Sequence, residues 1–290
     1  MNFSEWQQIA SDAGVGTVES AQKQQDNDHQ QCWQLITDQG RYFVKTRVKR
    51  DIPLLRTQAY SLKAIAQTET LRCPLVIAQG QTHKTAWLVL EWLSLKQTGD
   101  QVRLEQQLAA LHQHTGAQFG WQETNFIGQC IQHNHQLTDW TSFYRSQRLL
   151  PQLRRAAEQG LATKSVAHID QLLDTLEIYL SDHHPKPSLL HGNFCTDHIA
   201  FLEDATPVVF SPSCYYGDLE MDWAAAELSG LSMSGFDADS AIDSRATERY
   251  QKRKEVYQLY YLLVAFNQNK PSYASMIQQQ LSNLQKIINA

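Results

Sequence analysis

The chain has 290 residues, of which 42% are hydrophobic and 19% charged, with a net charge of −5 and a pI near 6.1. That length and apolar share can bury a sizeable core, which excludes wholesale disorder. The acidic balance argues against a protein that grips a nucleic-acid backbone, and no run approaches the ~20 apolar residues of a membrane-spanning helix.

In chain order, "MNFSEWQQIASDAG" lacks the basic flank and apolar run of a secretory signal; Phe3, Trp6, Ile9 and Ala10 instead have helical spacing. "ESAQKQQDNDHQQ" is polar and aperiodic, which predicts a loop or a distorted hairpin. "CWQLI" and "RYFVKT" read as strands joined by a turn at "TDQG". A helix follows in "IPLLRTQAYSLKAIAQ", with Leu55, Ala59, Leu62, Ile65 and Ala66 on one stripe and Pro53 near its start. "CPLVIAQG" and "TAWLVLEWL" are two more strands, so the first ninety or so residues read as helix, two strands, helix, two strands.

From Gln97 onward helices dominate. "DQVRLEQQLAALHQHTG" stops at Gly116, "DWTSFYRSQRLLPQLRRAAEQG" is helical with a kink or split at Pro151, and "SVAHIDQLLDTLEIYLSDH" is one amphipathic helix. A short strand then enters "HGNFCTDH", and the strands "HIAFL" and "PVVFS" follow. "DLEMDWAAAELSGL" and three further helical segments close the chain. The plan is α+β and bilobal: a small strand-rich N-terminal lobe over residues 1–93 and a larger helical C-terminal lobe over residues 94–290.

The five cysteines, Cys32, Cys73, Cys130, Cys195 and Cys214, are odd in number and form no C-x-x-C pair. Neither a disulfide framework nor a structural zinc site is expected, and a reducing cytoplasm fits. A metal centre built from Cys195, His198 and Cys214 matches no standard spacing, and buried core thiols are the simpler reading. Trp140, Phe143 and Tyr144 read as core, and His112, His114, His133 and His135 as surface residues of loops or helix ends.

Lys45 on the strand "YFVKT" says little alone, since most strand lysines are solvated. Its position ahead of "VLEWL", "LAALH", "LLHG" and "FSPSCYYGDLEMDWA" follows the order of a kinase. With "QFGWQETNFIG", "DWTSFYRSQRLLPQL", "PSLLHG" and "CYYGDLEMD", the chain resembles the fructosamine (ketosamine) 3-kinases, relatives of the aminoglycoside and choline phosphotransferases, over nearly its whole length. The resemblance implies a protein-kinase-like fold that holds Mg·ATP between its lobes and phosphorylates the 3-hydroxyl of a sugar carried on an amine.

Carried across residue by residue, the resemblance implies a nucleotide side made by Lys45, Gln58, Glu91 and Leu93. Lys45 matches the lysine that steadies the phosphates, but its acidic partner falls at Gln58. No glycine occurs between Thr17 and Gln39, where the family turns over the phosphates; Asn27 and Asp28 would make that turn, and Asp26 and Asp28 would repel phosphate. The family's "HGD" reads "HGN", so Asn193 stands at the base position and cannot take a proton, an assistance worth ~10²–10⁴ in rate. His191 is expected to hold the loop by bonding backbone. The metal-binding positions hold His198 and Ser211, although magnesium prefers oxygen and a carboxylate. Tyr215, Tyr216, Asp218 and Glu220 are kept in type on the substrate side, and Asp218 also reads as a helix cap.

These substitutions predict a catalytically degenerate member, a pseudokinase, that binds a small molecule, a nucleotide or a protein partner, with ATP as the implied cofactor and magnesium weakly held or absent. The alternative is an active ATP-dependent ketosamine kinase with a rearranged metal site drawing on Asp197, Asp218 or Asp222. A protein-interaction module that takes no nucleotide is a third reading. No nucleic acid or membrane is expected as partner.

Overall fold

Asn2 opens the first helix by accepting the amide of Glu5 at 2.9 Å, and Gly14, at a φ of 68°, closes it with its own amide. The computed structural model describes residues 1–27, 30–232 and 244–288. That helix, α1 (Phe3–Ala13), leads into three strands, β1 (Val18–Asn27), β2 (Gln30–Thr37) and β3 (Gly40–Val48). Then come α2 (Ile52–Thr68), β4 (Val76–Gln81), β5 (Thr85–Glu91) and α3 (Gln101–His112). A short hairpin, β6 (Asn125–Ile127) and β7 (Cys130–Gln132), precedes α4 (Trp140–Phe143), a π-helical turn (Tyr144–Leu149) and α5 (Leu150–Glu158). The chain continues through α6 (Thr163–Asp174), α7 (Glu177–Leu180), β8 (Ser188–Leu190), β9 (Ile199–Phe201), β10 (Pro207–Val209), β11 (Tyr215–Gly217), α8 (Glu220–Leu228), α9 (Ser244–Asn267) and α10 (Tyr273–Ile288).

These elements form two compact units. The first is Met1–Leu104 with Ile199–Pro212. Its sheet runs in the order β1-β2-β3-β5-β4, antiparallel throughout. Trp6, Ile9 and Ala10 of α1 pack with Leu35, Val44, Trp87 and Val89, and Trp6 meets Trp33 edge to face at 5.1 Å. The β9–β10 hairpin joins this unit because Lys96 pairs with Phe201 and Arg72 with Val208. A single cut at 93/94 therefore does not describe the division, because backbone pairing returns a later segment to the first unit.

The second unit is Glu105–His198 with Ser213–Ala290. Its core gathers Phe143, Tyr144, Leu153, Ile169, Leu173, Tyr257 and Leu263 around Leu190 of β8 and Tyr215 of β11. β8 and β11 pair antiparallel, Leu190 opposite Tyr215, which roots the loop after β8 in the core.

"ESAQKQQDN" is the edge strand β1, and with β2 it makes the distorted hairpin that is one of its two readings: the register shifts between Val18 and Ser20 and between Lys23 and Gln25. Two expectations change. Pro151 does not break the helix over 140–158. The backbone widens so that the Leu150 amide reaches the Arg145 carbonyl five residues back. The helix expected over 165–183 is broken at Thr175, whose hydroxyl bonds the carbonyls of Gln171 and Leu172. Of the three helical segments expected after α8, two, α9 and α10, occur among the described residues, and residues 233–243 lie outside them. No described helix is long and apolar enough to cross a membrane.

Candidate functional site

In the first unit, β3 carries Lys45 inward at 7% exposure. Its Nζ donates to Gln58 Oε1 of α2 at 3.1 Å and to Ser211 Oγ at 3.0 Å. Both partners are neutral, and both stand where the family resemblance calls for a carboxylate. Among the described residues, no carboxylate lies within 4.0 Å of this ammonium, whereas Lys23, Lys96, Lys252 and Lys254 each pair with one. Burial pushes the Lys45 ammonium down to about 8; Cys32, opposite it on β2, works against that shift, and Arg47 adds to it. Ser211 takes its place at a φ of 50°, a left-handed conformation that costs a residue with a side chain.

Glu91 and Leu93, expected on the nucleotide side, are both half-buried. The Glu91 carboxylate is occupied: both oxygens take the Arg72 guanidinium at 2.6 Å, and one also accepts the Leu75 amide at 3.1 Å. Asp26 is exposed and bonded to Lys23 at 2.7 Å, the contact that chiefly lowers its pKa. Asp28 lies outside the described residues.

In the second unit, the loop after β8 is tied down by Asp222, a fully buried carboxylate in the first turn of α8. It accepts the amides of His191 and Gly192, each at 2.8 Å, and lies 3.0 Å from His112 Nε2. His112 is thus buried, correcting its reading as a surface residue: α3 turns it toward a charge that lies 110 positions away in sequence. Gly192 has a φ of 76°, and a Cβ there would meet the Ser213 carbonyl at 2.1 Å, so only glycine fits. His191 Nδ1 accepts the Asn193 amide at 3.3 Å, and its carbonyl takes the Ser213 amide at 2.9 Å. His198 Nδ1 lies 2.9 Å from the Asn193 carbonyl and 3.3 Å from Cys195 Sγ. A carbonyl only accepts, so Nδ1 carries the hydrogen and is no base toward the Cys195 thiol, which burial itself pushes up.

The residues expected on the substrate side are mostly interior. Tyr215 is fully buried, with the Arg148 guanidinium 3.8 Å from its ring centre. Asp218 is 1% exposed; it accepts Tyr257 Oη at 2.6 Å and the Glu220 amide at 3.1 Å, and lies 2.7 Å from His183 Nε2. Glu220 takes Arg253 in a two-point pair, both bonds at 2.7 Å. Tyr216 differs: it is half-buried and meets Trp121 at 5.4 Å. Trp140, Phe143 and Tyr144 are core, as read. Arg148, His183 and the buried amides Asn125, Gln132 and Asn134, which bond one another and the Ser213 and Cys214 carbonyls, left no periodic or motif signal.

Magnesium does not fit these residues. Ser211 Oγ already faces an ammonium, Asn193 and His198 supply no carboxylate, and the Asp218 and Asp222 oxygens are engaged with donors. His183, Asp218 and Glu220 do converge closely enough to hold an ion. Arg253 and Tyr257 already supply the positive charge and hydrogen bonds that an ion would have to displace.

A family profile described as fructosamine kinase matches residues 1–287. A Synechocystis protein named "Probable ketoamine kinase" is 36% identical over 260 residues, covering 87% of this chain and 86% of the relative. One of the same name from Vibrio parahaemolyticus is 32% identical over 240 residues, covering 81% and 82%. A solved Haemophilus somnus structure assigned by name to fructosamine-3-kinase superposes with a TM-score of 0.83 at 28% identity over 96% of each chain. A mutant of aminoglycoside phosphotransferase APH(4)-Ia, solved with ADP and hygromycin B, has a TM-score of 0.62 at 14% identity over 97% of each chain, a likeness of fold alone. The fold is thus the kinase-like α+β fold that the sequence implied.

Proposed function

The chain belongs to the fructosamine kinase family, and on that premise we propose that it has given up metal-dependent phosphotransfer while keeping a cationic point for a phosphorylated ligand, with ATP the first nucleotide to test. The observation that carries this reading is the neutral cradle of Lys45. In a phosphotransferase the lysine is charge-paired and a nearby carboxylate fixes the metal that bridges the phosphates. Here Gln58 and Ser211 hold the lysine without charge. An anion therefore meets an uncompensated ammonium, and the oxygens that would hold a divalent cation are missing.

Loss of a single group would slow phosphoryl transfer, which rests on positioning and electrostatics. Loss of the base at Asn193, of both carboxylates around Lys45 and of the usual donor at His198 removes the base and the metal together.

Thermal melts of the purified chain with ATP, with and without magnesium, test the proposal. Binding raises stability by RT ln(1 + [L]/Kd), about 2.7 kcal/mol at a hundredfold excess over Kd. A shift of equal size with magnesium and with chelator is expected, together with no phosphate transfer to a ketosamine. Magnesium-dependent phosphorylation of a ketosamine would overturn the reading. Should turnover be seen, changing Asp197, the exposed acid of the loop, to alanine should abolish it if that residue serves a rearranged kinase site; surviving activity would exclude Asp197 and leave Asp218 or Asp222.

A further inference from the structure

A lysine held only by neutral groups can do more than attract an anion. Buried amines without a carboxylate partner are the ones that proteins use as nucleophiles toward carbonyl carbon. Lys23, Lys96, Lys252 and Lys254 each have an acid within 3.5 Å, whereas Lys45, at 7% exposure, has only an amide oxygen at 3.1 Å and a hydroxyl at 3.0 Å. The amide and hydroxyl orient the nitrogen without supplying a compensating negative charge.

We propose that Lys45 is a carbonyl-reactive amine, at which an aldehyde or ketone carrying a phosphate forms a Schiff base with Nζ. The preference for an anionic carbonyl compound comes from Arg47. Two residues on along β3, it lies on the same face of the strand as Lys45. Among the described residues its guanidinium meets a single carboxylate, Asp51 at 3.5 Å, with Gln30 Oε1 at 3.3 Å. Among the described residues the groups acting on Lys45 are thus Gln58 from α2, Ser211, Cys32 from β2 and Arg47 from its own strand, and none is a carboxylate.

The step balances without a further reactant. The ammonium loses a proton to solvent, and the nitrogen lone pair adds to the carbonyl carbon. The carbinolamine expels water to leave the imine. Protonated, that imine keeps the positive charge that Gln58, Ser211 and an incoming phosphate surround. The proposal goes beyond the phosphate-binding reading and needs neither nucleotide nor metal, so the two can fail separately.

The test uses the whole chain with pyridoxal 5′-phosphate, in the absence of nucleotide and divalent metal. Sodium borohydride then converts the imine to a stable secondary amine, and the labelled peptide is mapped by mass spectrometry. At pH 7.5, labelling of Lys45 at least tenfold faster than of any acid-paired lysine is expected, since a pKa near 8 leaves a far larger neutral fraction than the ordinary value near 10.4. Gln58→Glu, which restores a charged partner, should cut that rate about tenfold or more while the variant still melts cooperatively. Labelling of Lys45 no faster than of the paired lysines would overturn the proposal. So would a Gln58→Glu protein that is folded and labels unchanged. Pyridoxal lacking the phosphate should label more slowly; equal rates would overturn the preference for a phosphorylated carbonyl.

Discussion

Asp222 Oδ1 accepts the backbone amide of Gly192 at 2.8 Å, and Asp222 Oδ2 takes that of His191 at the same distance. One side chain at the start of α8 therefore holds the backbone of the loop that would carry the catalytic base. On the proposed reading, in which Asn193 and His198 stand at the family's chemical positions, scaffold and chemistry rest on different residues: backbone amides need only a buried acceptor, whereas proton transfer and metal binding need a carboxylate at one position.

Asp222→Ala should leave two amides and the His112 ring without their acceptor in the core. Each unsatisfied buried donor costs about 1–3 kcal/mol. A loss of roughly 3 kcal/mol or more is expected, read as a lowered urea midpoint with an unchanged slope.

Lys45→Met should stabilise the ligand-free protein at pH 7. The ammonium's folded pKa, about 8, lies below the ordinary value near 10.4, so the unfolded chain binds the proton more tightly. Lys45 therefore destabilises the fold below pH 8, and the penalty fades as pH rises from 8 through 10.4. The lost bonds to Gln58 and Ser211 offset part of the gain, leaving about 1 kcal/mol. Urea titrations at pH 7 and pH 10 check both the sign and its fading; a destabilised Lys45→Met protein at pH 7 would show that the two hydrogen bonds outweigh desolvation.

His183 should make stability fall as the solution turns alkaline. Burial lowers its pKa, but the hydrogen bond and charge of Asp218, 2.7 Å away, and the charge of Glu220 outweigh burial and raise it. A raised folded pKa adds stability that is complete below the unfolded value near 6.5 and is lost as pH climbs through the folded value. His183→Gln should remove this part of the pH dependence, seen by comparing urea midpoints of the two proteins from pH 5.5 to pH 9.

Arg148→Lys should cost about 2–4 kcal/mol despite keeping the charge. The guanidinium is fully buried, sits over the Tyr215 ring 3.8 Å from its centre and bonds Asn134 Oδ1 at 2.8 Å. A lysine ammonium cannot stack in that way or fork between partners, and a buried point charge carries a larger desolvation penalty. The melting temperature reports the loss directly.

Local pattern was enough to read α1, α2, β3, β5 and the strand entering the "HGN" loop, because apolar spacing and turn residues act over a few positions. The exchanges that the family resemblance implies at Gln58, Asn193, His198 and Ser211 were read from the letters alone, since a change of chemical type shows there. Tertiary structure decided between loop and hairpin for polar β1, and it alone decided that Thr175 ends a helix and that residues 199–212 return to the first unit. It alone brought His112 to Asp222, Arg148 to Tyr215 and Ser211 to Lys45, contacts 110, 67 and 166 positions apart in sequence. Burial gives those pairs their energy, and burial belongs to the folded chain: a charge that is cheap in water becomes costly, or binding, only when distant segments close around it.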